Sequence, residues 1–395
     1  MLETFRLAKF RFTVSAKGRI QFPPYKGSAF RGGFGYAFKR VVCVIKGKEC
    51  DDCILKQKCI YSYIFETPPP EDTEILRLYP KVPHPFVIEP PITEKQSFKP
   101  DEEFSFHLIL IGQAIDYLPY FIYTFTELGK QGIGQGRGTY DLLQVEGIGL
   151  GNETVPIYDN KDQKLTNHYP IIQARQLGHN PPLSPFHSES LQSPFHKGGQ
   201  RGINTGIEEE IFEEKSAANN IQTPSAISSL YEGEDFVVSA QSNDEGGVKN
   251  LPQQDSSQGN NHNKKITISL LSPLRLRFDG RITDKIEFHI LIRNLLRRIS
   301  SLSYFHCGEK LELDFKGFVE KAVAVKLVKS DTQWFDWKRY STRQEEWMSL
   351  GGVTGTVSYE GNLSEFMTLL NLGEYVHVGK GTSFGLGKYE IREIL

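Results

Sequence analysis

Two stretches decide how this chain reads: FTELGKQGIGQGRGTYDLLQV (residues 125–145) and LLNLGEYVHVGKGTSFGLGKYEI (residues 369–391). Each leaves an apolar, helix-like segment, crosses a glycine-rich turn and enters an alternating, strand-like run. Before the first of them, residues 5–15 alternate as a strand and FPPYKGS breaks that strand. Ser28 then stands as the cap of a helix over about 29–42. Extended pieces follow at 64–67 and 86–88, a strand at 103–111, a helix at 116–128 and a last strand at 140–146. The second half opens with a strand at 266–278. Asp284 caps a helix carrying Phe288, Leu291, Leu295, Ile299 and Leu302 at helical spacing. Strands at 322–329 and 353–359, a helix at 363–370 and a strand at 388–392 complete it. Both halves read β-α-β-β-α-β. The expectation is an α+β chain of two tandem ferredoxin-like domains, produced by internal duplication.

Between the halves the composition changes. Residues 171–264 are rich in Ser, Asn, Gln, Gly and Pro and carry twelve acidic against six basic side chains. Such a segment buries too little apolar surface to offset chain entropy, so it reads as a disordered insertion. SPFH occurs in it twice, at 184–187 and 193–196, as a translated repeat element would. The domain reading is therefore 1–170, an insertion over 171–264, and 265–395.

The overall charge of −2 conceals an asymmetry. Residues 4–48 hold eleven Lys and Arg and no Asp or Glu, the electrostatic footprint of a site for a polyanion. No apolar run approaches ~18 residues, which excludes a membrane-spanning helix. The N-terminus has no signal-peptide core, so a cytoplasmic protein is expected.

PPYKGSAFRGGFG (residues 23–35), KVPHPFVIEPP (81–91), GIGQGRGTYDLLQV (132–145) and GEYVHVGKGTSFGLGKYEI (373–391) together resemble the pre-crRNA-processing endoribonucleases of the RAMP superfamily of CRISPR systems. The resemblance covers both halves and spares the insertion. It implies two RAMP/RRM-like domains and cleavage of repeat RNA into guide RNAs without a catalytic metal. It further implies that the ribose 2′-hydroxyl is the nucleophile and that the products are a 2′,3′-cyclic phosphate and a 5′-hydroxyl. The partners implied are CRISPR repeat RNA and the subunits of a CRISPR effector complex.

That reaction needs a proton acceptor, a donor for the leaving oxygen and cations around the phosphate. His377, two residues ahead of the C-terminal glycine loop, is the first candidate for acid–base work. The family often carries a histidine in or near the first helix. Here that helix has none, and Tyr36 stands in its place. Arg31, Lys39 and Arg40 on the helix are candidate RNA contacts, with Lys380 and the loop glycines Gly379, Gly381, Gly385 and Gly387. His84, within the proline-rich VPHPF, reads as a turn residue, and His107 as a packed strand residue. The alternative function is an RNA-holding RAMP subunit that does not cut.

Cys43, Cys50, Cys53 and Cys59 form C-x6-C-x2-C-x5-C within one loop (43–59), leaving Cys307 apart. Four thiols so close, in a reducing compartment, suit a structural metal site better than disulfides. Zinc is the usual occupant of such a set. The run also resembles the iron–sulfur loop of endonuclease III-type DNA glycosylases, which makes a [4Fe–4S] cluster the other expectation. The strand-rich remainder of the chain does not suit a glycosylase.

Overall fold

The computed structural model describes residues 2–68, 82–178, 264–341 and 346–394. The N-terminal half runs β1 (Arg6–Ala16), α1 (Gly27–Val42), β2 (Phe86–Glu89), β3 (Glu103–Ile111), α2 (Leu118–Gln131) and β4 (Tyr140–Ile148). Its strands lie in the order β2-β3-β1-β4 with every neighbour antiparallel, and β5 (Thr154–Asp159) extends the sheet beyond β4. The C-terminal half runs β6 (Lys264–Leu274), α3 (Phe288–Leu302), α4 (Phe315–Val323), β7 (Lys326–Ser341), β8 (Glu346–Gly361), α5 (Met367–Val376) and β9 (Tyr389–Ile394). Its order is β7-β8-β6-β9, again antiparallel. Both sheets follow the strand order of a ferredoxin-like βαββαβ unit, so the fold is the expected tandem.

The period-two pattern of the first sheet explains how the halves join. Even positions Phe10, Phe12, Phe106, Leu108, Phe86 and Ile88 face α1 and α2 and form the N-terminal core. Odd positions Leu7, Val87, Ile109 and Ile111 face away from those helices and join the C-terminal core. Lys9, His107 and Glu89 share the odd face, so packing of the second half against it carries charged groups inside.

Helix α1 contains four glycines and has poor intrinsic propensity, at roughly 1 kcal/mol per glycine. It holds through its apolar stripe, Phe30, Phe34, Ala37 and Phe38, with Phe34 stacked on Phe121 and Phe125 of α2.

Several local expectations are corrected. Helix α1 starts at Gly27 after Lys26, so Ser28 lies inside it, and no side chain caps it. Helix α3 starts after Glu287 rather than at Asp284. The stretch expected as an extended piece at 64–67 is a π turn, Ser62–Glu66, closed by Thr67 in the left-handed region at φ 41°. Its aromatic residues pack as core, with Phe65 against Phe34 and Phe38. The strand expected from 322 is the end of α4, whose first turn is capped by Asp314 accepting from Gly317 N, and β7 begins only at Lys326. Ile172, Ala174 and Leu177 are buried in the C-terminal core, so packed chain continues past residue 170. The rest of the polar segment, 179–263, lies outside the described residues. Among the described residues no helix is long and apolar enough to cross a membrane.

Candidate active site

The C-terminal glycine loop leaves α5 at His377, the helix cap, which takes φ 60°. It crosses a 3₁₀ turn at Thr382–Phe384 and returns into β9. Two of its glycines work inward. A Cβ on Gly385 would meet Pro90 and the Ile88 carbonyl of the N-terminal half, and one on Gly387 would meet the Val378 carbonyl. Gly379 and Gly381 also take positive φ, at 87° and 80°, and they line a cavity of about 370 Å³ between the halves. Most amides of the loop are spent on its own fold: Lys380 N donates to Arg275 O at 2.9 Å and Gly387 N to Pro273 O at 3.0 Å.

The cavity is cationic. Arg297 and Arg298 come from α3, Arg277 from the segment after β6, and Lys380 from the loop. Asn294 pins the Arg277 backbone to α3, its Oδ1 accepting from Arg277 N at 3.1 Å and its Nδ2 donating to Arg277 O at 3.0 Å. Arg298 is 8% exposed. Its Nε donates to Val376 O at 2.7 Å, and its Nη2 is buried with no hydrogen-bond partner among the described residues. Burial pulls its guanidinium down to about 9, an unusual value for arginine. Burial, then Arg297 and Arg277, hold the Lys380 ammonium below its usual range. Among the described residues no carboxylate forms an ion pair with Arg277, Arg298 or Lys380. This arrangement disfavours itself and is relieved by an anion.

From the N-terminal half the cavity receives Val82, Pro83 and His84. His84 Nε2 lies 3.1 Å from Arg31 Nη2, and Arg31 stacks over Phe65 at 4.1 Å, with Phe384 of the glycine loop at 5.5 Å. Arg31 of α1 is thus set beside the loop. Lys39 and Arg40 are not: they lie over Tyr61 and Tyr36 at 5.5 and 5.9 Å. Tyr36 is 67% exposed on the outer face of α1.

His377 sits elsewhere and fully buried. Its Nε2 lies 3.0 Å from Glu89 Oε1, and its Nδ1 3.1 Å from Leu386 O. Both partners are acceptors, so a neutral ring can donate to only one of them; burial, the larger effect, holds the ring below its usual range against the pull of the Glu89 carboxylate. Glu89 also receives Lys388 Nζ at 2.9 Å and Lys9 Nζ at 3.3 Å, with His107 Nδ1 at 3.6 Å. Burial alone would raise the Glu89 carboxyl. Lys388 and Lys9 outweigh it and hold the group well below the usual range. This cluster ties β2 and β1 of one half to α5 and β9 of the other. His377, fully buried, and Tyr36, exposed on the outer face of α1, lie in different surroundings.

Cys43, Cys50, Cys53 and Cys59 are half-exposed free thiols. Among the described residues no three His, Cys, Asp or Glu side chains are arranged to hold a metal ion.

Sequence reading passed over Glu89, Arg277, Arg297 and Arg298. One signal was present: Arg298 lies on the buried stripe of α3 between Leu295 and Leu302, a charge where the helical period calls for an apolar residue.

Comparison with known proteins adds the following. Residues 268–389 match the family described as CRISPR-associated endoribonuclease Cas6, and residues 5–170 match a family described as an N-terminal domain. An uncharacterized protein of Archaeoglobus fulgidus is 27% identical over 156 residues, 38% of this chain. This chain spans about half the length, 50%, of that curated relative. Among solved structures, a Cas6 product complex is similar at a TM-score of 0.48 and 11% identity, over 98% of this chain and 99% of that one. Thermus thermophilus Cas6 is similar at 0.43 and 10%, over 98% of each chain. An RAMP protein binding different RNA substrates is similar at 0.40 and 8%, over 98% of this chain and 100% of that one. The fold assignment rests on the strand order given above.

Proposed function

We propose that this chain, whose residues 268–389 match the family described as CRISPR-associated endoribonuclease Cas6, binds the repeat RNA of CRISPR transcripts and cuts it, with the RNA backbone seated in the basic cavity. The observation that carries this reading is the convergence of Arg277, Arg297, Arg298 and Lys380 on one cavity, with the Arg298 guanidinium buried and incompletely partnered. Burying a cation without a counter-charge costs several kcal/mol, and phosphate oxygens supply the missing acceptors. Gly379 and Gly381 let the chain turn at the cavity wall with positive φ, where a Cβ would meet the Arg275 carbonyl and the Leu386 side chain. Arg31 extends the cationic surface onto α1.

In the proposed reaction the 2′-hydroxyl attacks the adjacent phosphorus, the P–O5′ bond breaks, and a 2′,3′-cyclic phosphate and a 5′-hydroxyl result. The cations balance charge on the phosphorane-like transition state, which is the service a metal would otherwise provide. His377 has no access to RNA in this arrangement and acts as a positioning residue, joining the root of the loop to Glu89. The four-cysteine loop is proposed, on its spacing alone, to hold a structural zinc or a [4Fe–4S] cluster, and CRISPR effector subunits are the proposed protein partners.

The test is binding and single-turnover cleavage of a repeat transcript by wild type and by Lys380→Glu and Arg298→Met. Weaker binding and slower cleavage in both variants, with folding retained, support the reading. Unchanged binding removes the cavity from the account. RNA bound but left intact by wild type makes the protein an RNA-holding subunit.

A further inference from the structure

We infer that His84 is the proton-transfer group of this site, with Arg31 as its partner. The inference rests on the RNA-cleavage reading and names a residue that the sequence reading treated as part of a turn. The described chain contains six histidines: His84, His107, His168, His289, His306 and His377. Of these, His84 is the one that lines the basic cavity.

Its placement is built rather than incidental. The ring lies parallel to Phe86, with centroids 5.6 Å apart and planes 2° apart, and beside Phe65 at 6.2 Å. The preceding residue is anchored from the opposite half: His306 Nε2–H donates to Pro83 O at 2.8 Å. His306 Nδ1 in turn accepts from the Tyr63 hydroxyl at 3.1 Å, which fixes its tautomer. The segment that carries His84 is therefore held in register against the C-terminal half, in front of the glycine loop.

The Arg31 contact sets the state of the ring. A guanidinium has only donors, so in the 3.1 Å contact Arg31 Nη2–H donates and His84 Nε2 accepts. In this contact Nε2 carries no proton and presents its lone pair to Arg31, and the ring proton falls on Nδ1, a buried atom. A phosphate that draws the Arg31 guanidinium to itself leaves Nε2 open as a base. The remaining charged groups on the cavity wall are Arg297 and Arg298 of α3, Arg277, and Lys380 of the loop.

The step balances as follows. The 2′-oxygen forms a bond to phosphorus and its proton passes to His84 Nε2. The P–O5′ bond breaks, and its electron pair stays on O5′, which takes a proton from solvent. The imidazolium then returns its own proton to solvent. No oxidant, reductant or metal is consumed.

The experiment compares wild type, His84→Ala and His84→Gln in single-turnover cleavage of a repeat transcript, with RNA affinity measured in parallel. Glutamine keeps an acceptor for Arg31 and cannot transfer a proton, so it separates chemistry from packing. The expected result is at least ~100-fold slower cleavage in both variants with affinity within ~3-fold of wild type. Added imidazole is expected to restore part of the rate to His84→Ala, and the pH–rate profile of His84→Gln is expected to lose one limb. Cleavage by His84→Gln within ~3-fold of wild type overturns the assignment while leaving the endoribonuclease reading intact. Should His84→Ala fail to fold, the His84→Gln rate and profile decide alone. A wild type that binds repeat RNA and never cuts it overturns both.

Discussion

Replacing Glu89 by glutamine keeps the volume of the side chain and removes the charge on which Lys9, Lys388 and His377 converge. Lys9 and Lys388 are each only 5% exposed, so neither can recover water in place of the carboxylate. Breaking a buried pair in this way costs roughly 3–5 kcal/mol. For each lysine an upper bound follows from titration, because a stranded lysine can fold neutral. From an ordinary value of 10.5, deprotonation at pH 7 costs about 1.36 × 3.5 ≈ 4.8 kcal/mol. Lys9 is already pulled down to about 8, burial outweighing the attraction of Glu89, and loses that attraction in the variant. Its folded value then lies further below the unfolded one. The unfolded state binds more protons over that interval, so stability rises with pH across it. The expected outcome is a deficit of roughly 3–5 kcal/mol at pH 7 that narrows by pH 9, read from urea unfolding of both proteins at the two pH values. A deficit below ~1 kcal/mol, or one unchanged between pH 7 and pH 9, refutes the view that this cluster locks the two halves together.

Three further outcomes are expected. Arg298→Met removes a buried cation together with its bond to Val376 O, so stability stays within ~1 kcal/mol of wild type while RNA affinity falls roughly tenfold; the slope of log affinity against log salt should shrink by about 0.7, as for one lost phosphate contact, and an unchanged slope contradicts this. Glu374, raised by burial from 4.5 to about 8, contributes stability that is fully present below 4.5 and lost as pH rises through about 8; chemical unfolding of Glu374→Gln at pH 5 and pH 8 should lack that loss, and an equal loss in variant and wild type argues against a buried, protonated Glu374. Elemental analysis of anaerobically purified protein should find zinc or iron bound to the wild type and absent from a Cys50→Ser/Cys53→Ser variant; equal metal content in the two proteins counts against the four-cysteine site.

The fold was legible because both halves advertise local periods. The alternation of β1 and the 3.6-residue stripe of α3 place each element with no knowledge of the other half. Failures came where a local pattern served a different tertiary purpose. The run at Ser62–Glu66 has the aromatic composition of a strand, yet Phe65 is needed against α1, and the chain coils to deliver it. The helix α4, capped by Asp314, went unassigned, and its last residues were joined to the strand expected from 322. The site was half legible. Lys380, Gly379, Gly381 and Arg31 could be found from the loop and the acid-free basic stretch. Arg297, Arg298 and His84 lie far from that loop in sequence and meet it only through packing of the halves. His377 misled because proximity to the loop in sequence says nothing of which way a helix cap turns. At φ 60° its ring points into the interface, toward Glu89.

The central claim is that this chain cuts repeat RNA by attack of the ribose 2′-hydroxyl within the basic cavity. The most direct measurement incubates wild type in EDTA with two repeat RNAs that differ only by a single 2′-deoxy substitution at the nucleotide preceding the cut, and identifies the product ends by mass spectrometry. The account predicts cleavage of the unmodified RNA to a 2′,3′-cyclic phosphate and no cleavage of the substituted one. Equal cleavage of both RNAs, or cleavage abolished by EDTA, would contradict it.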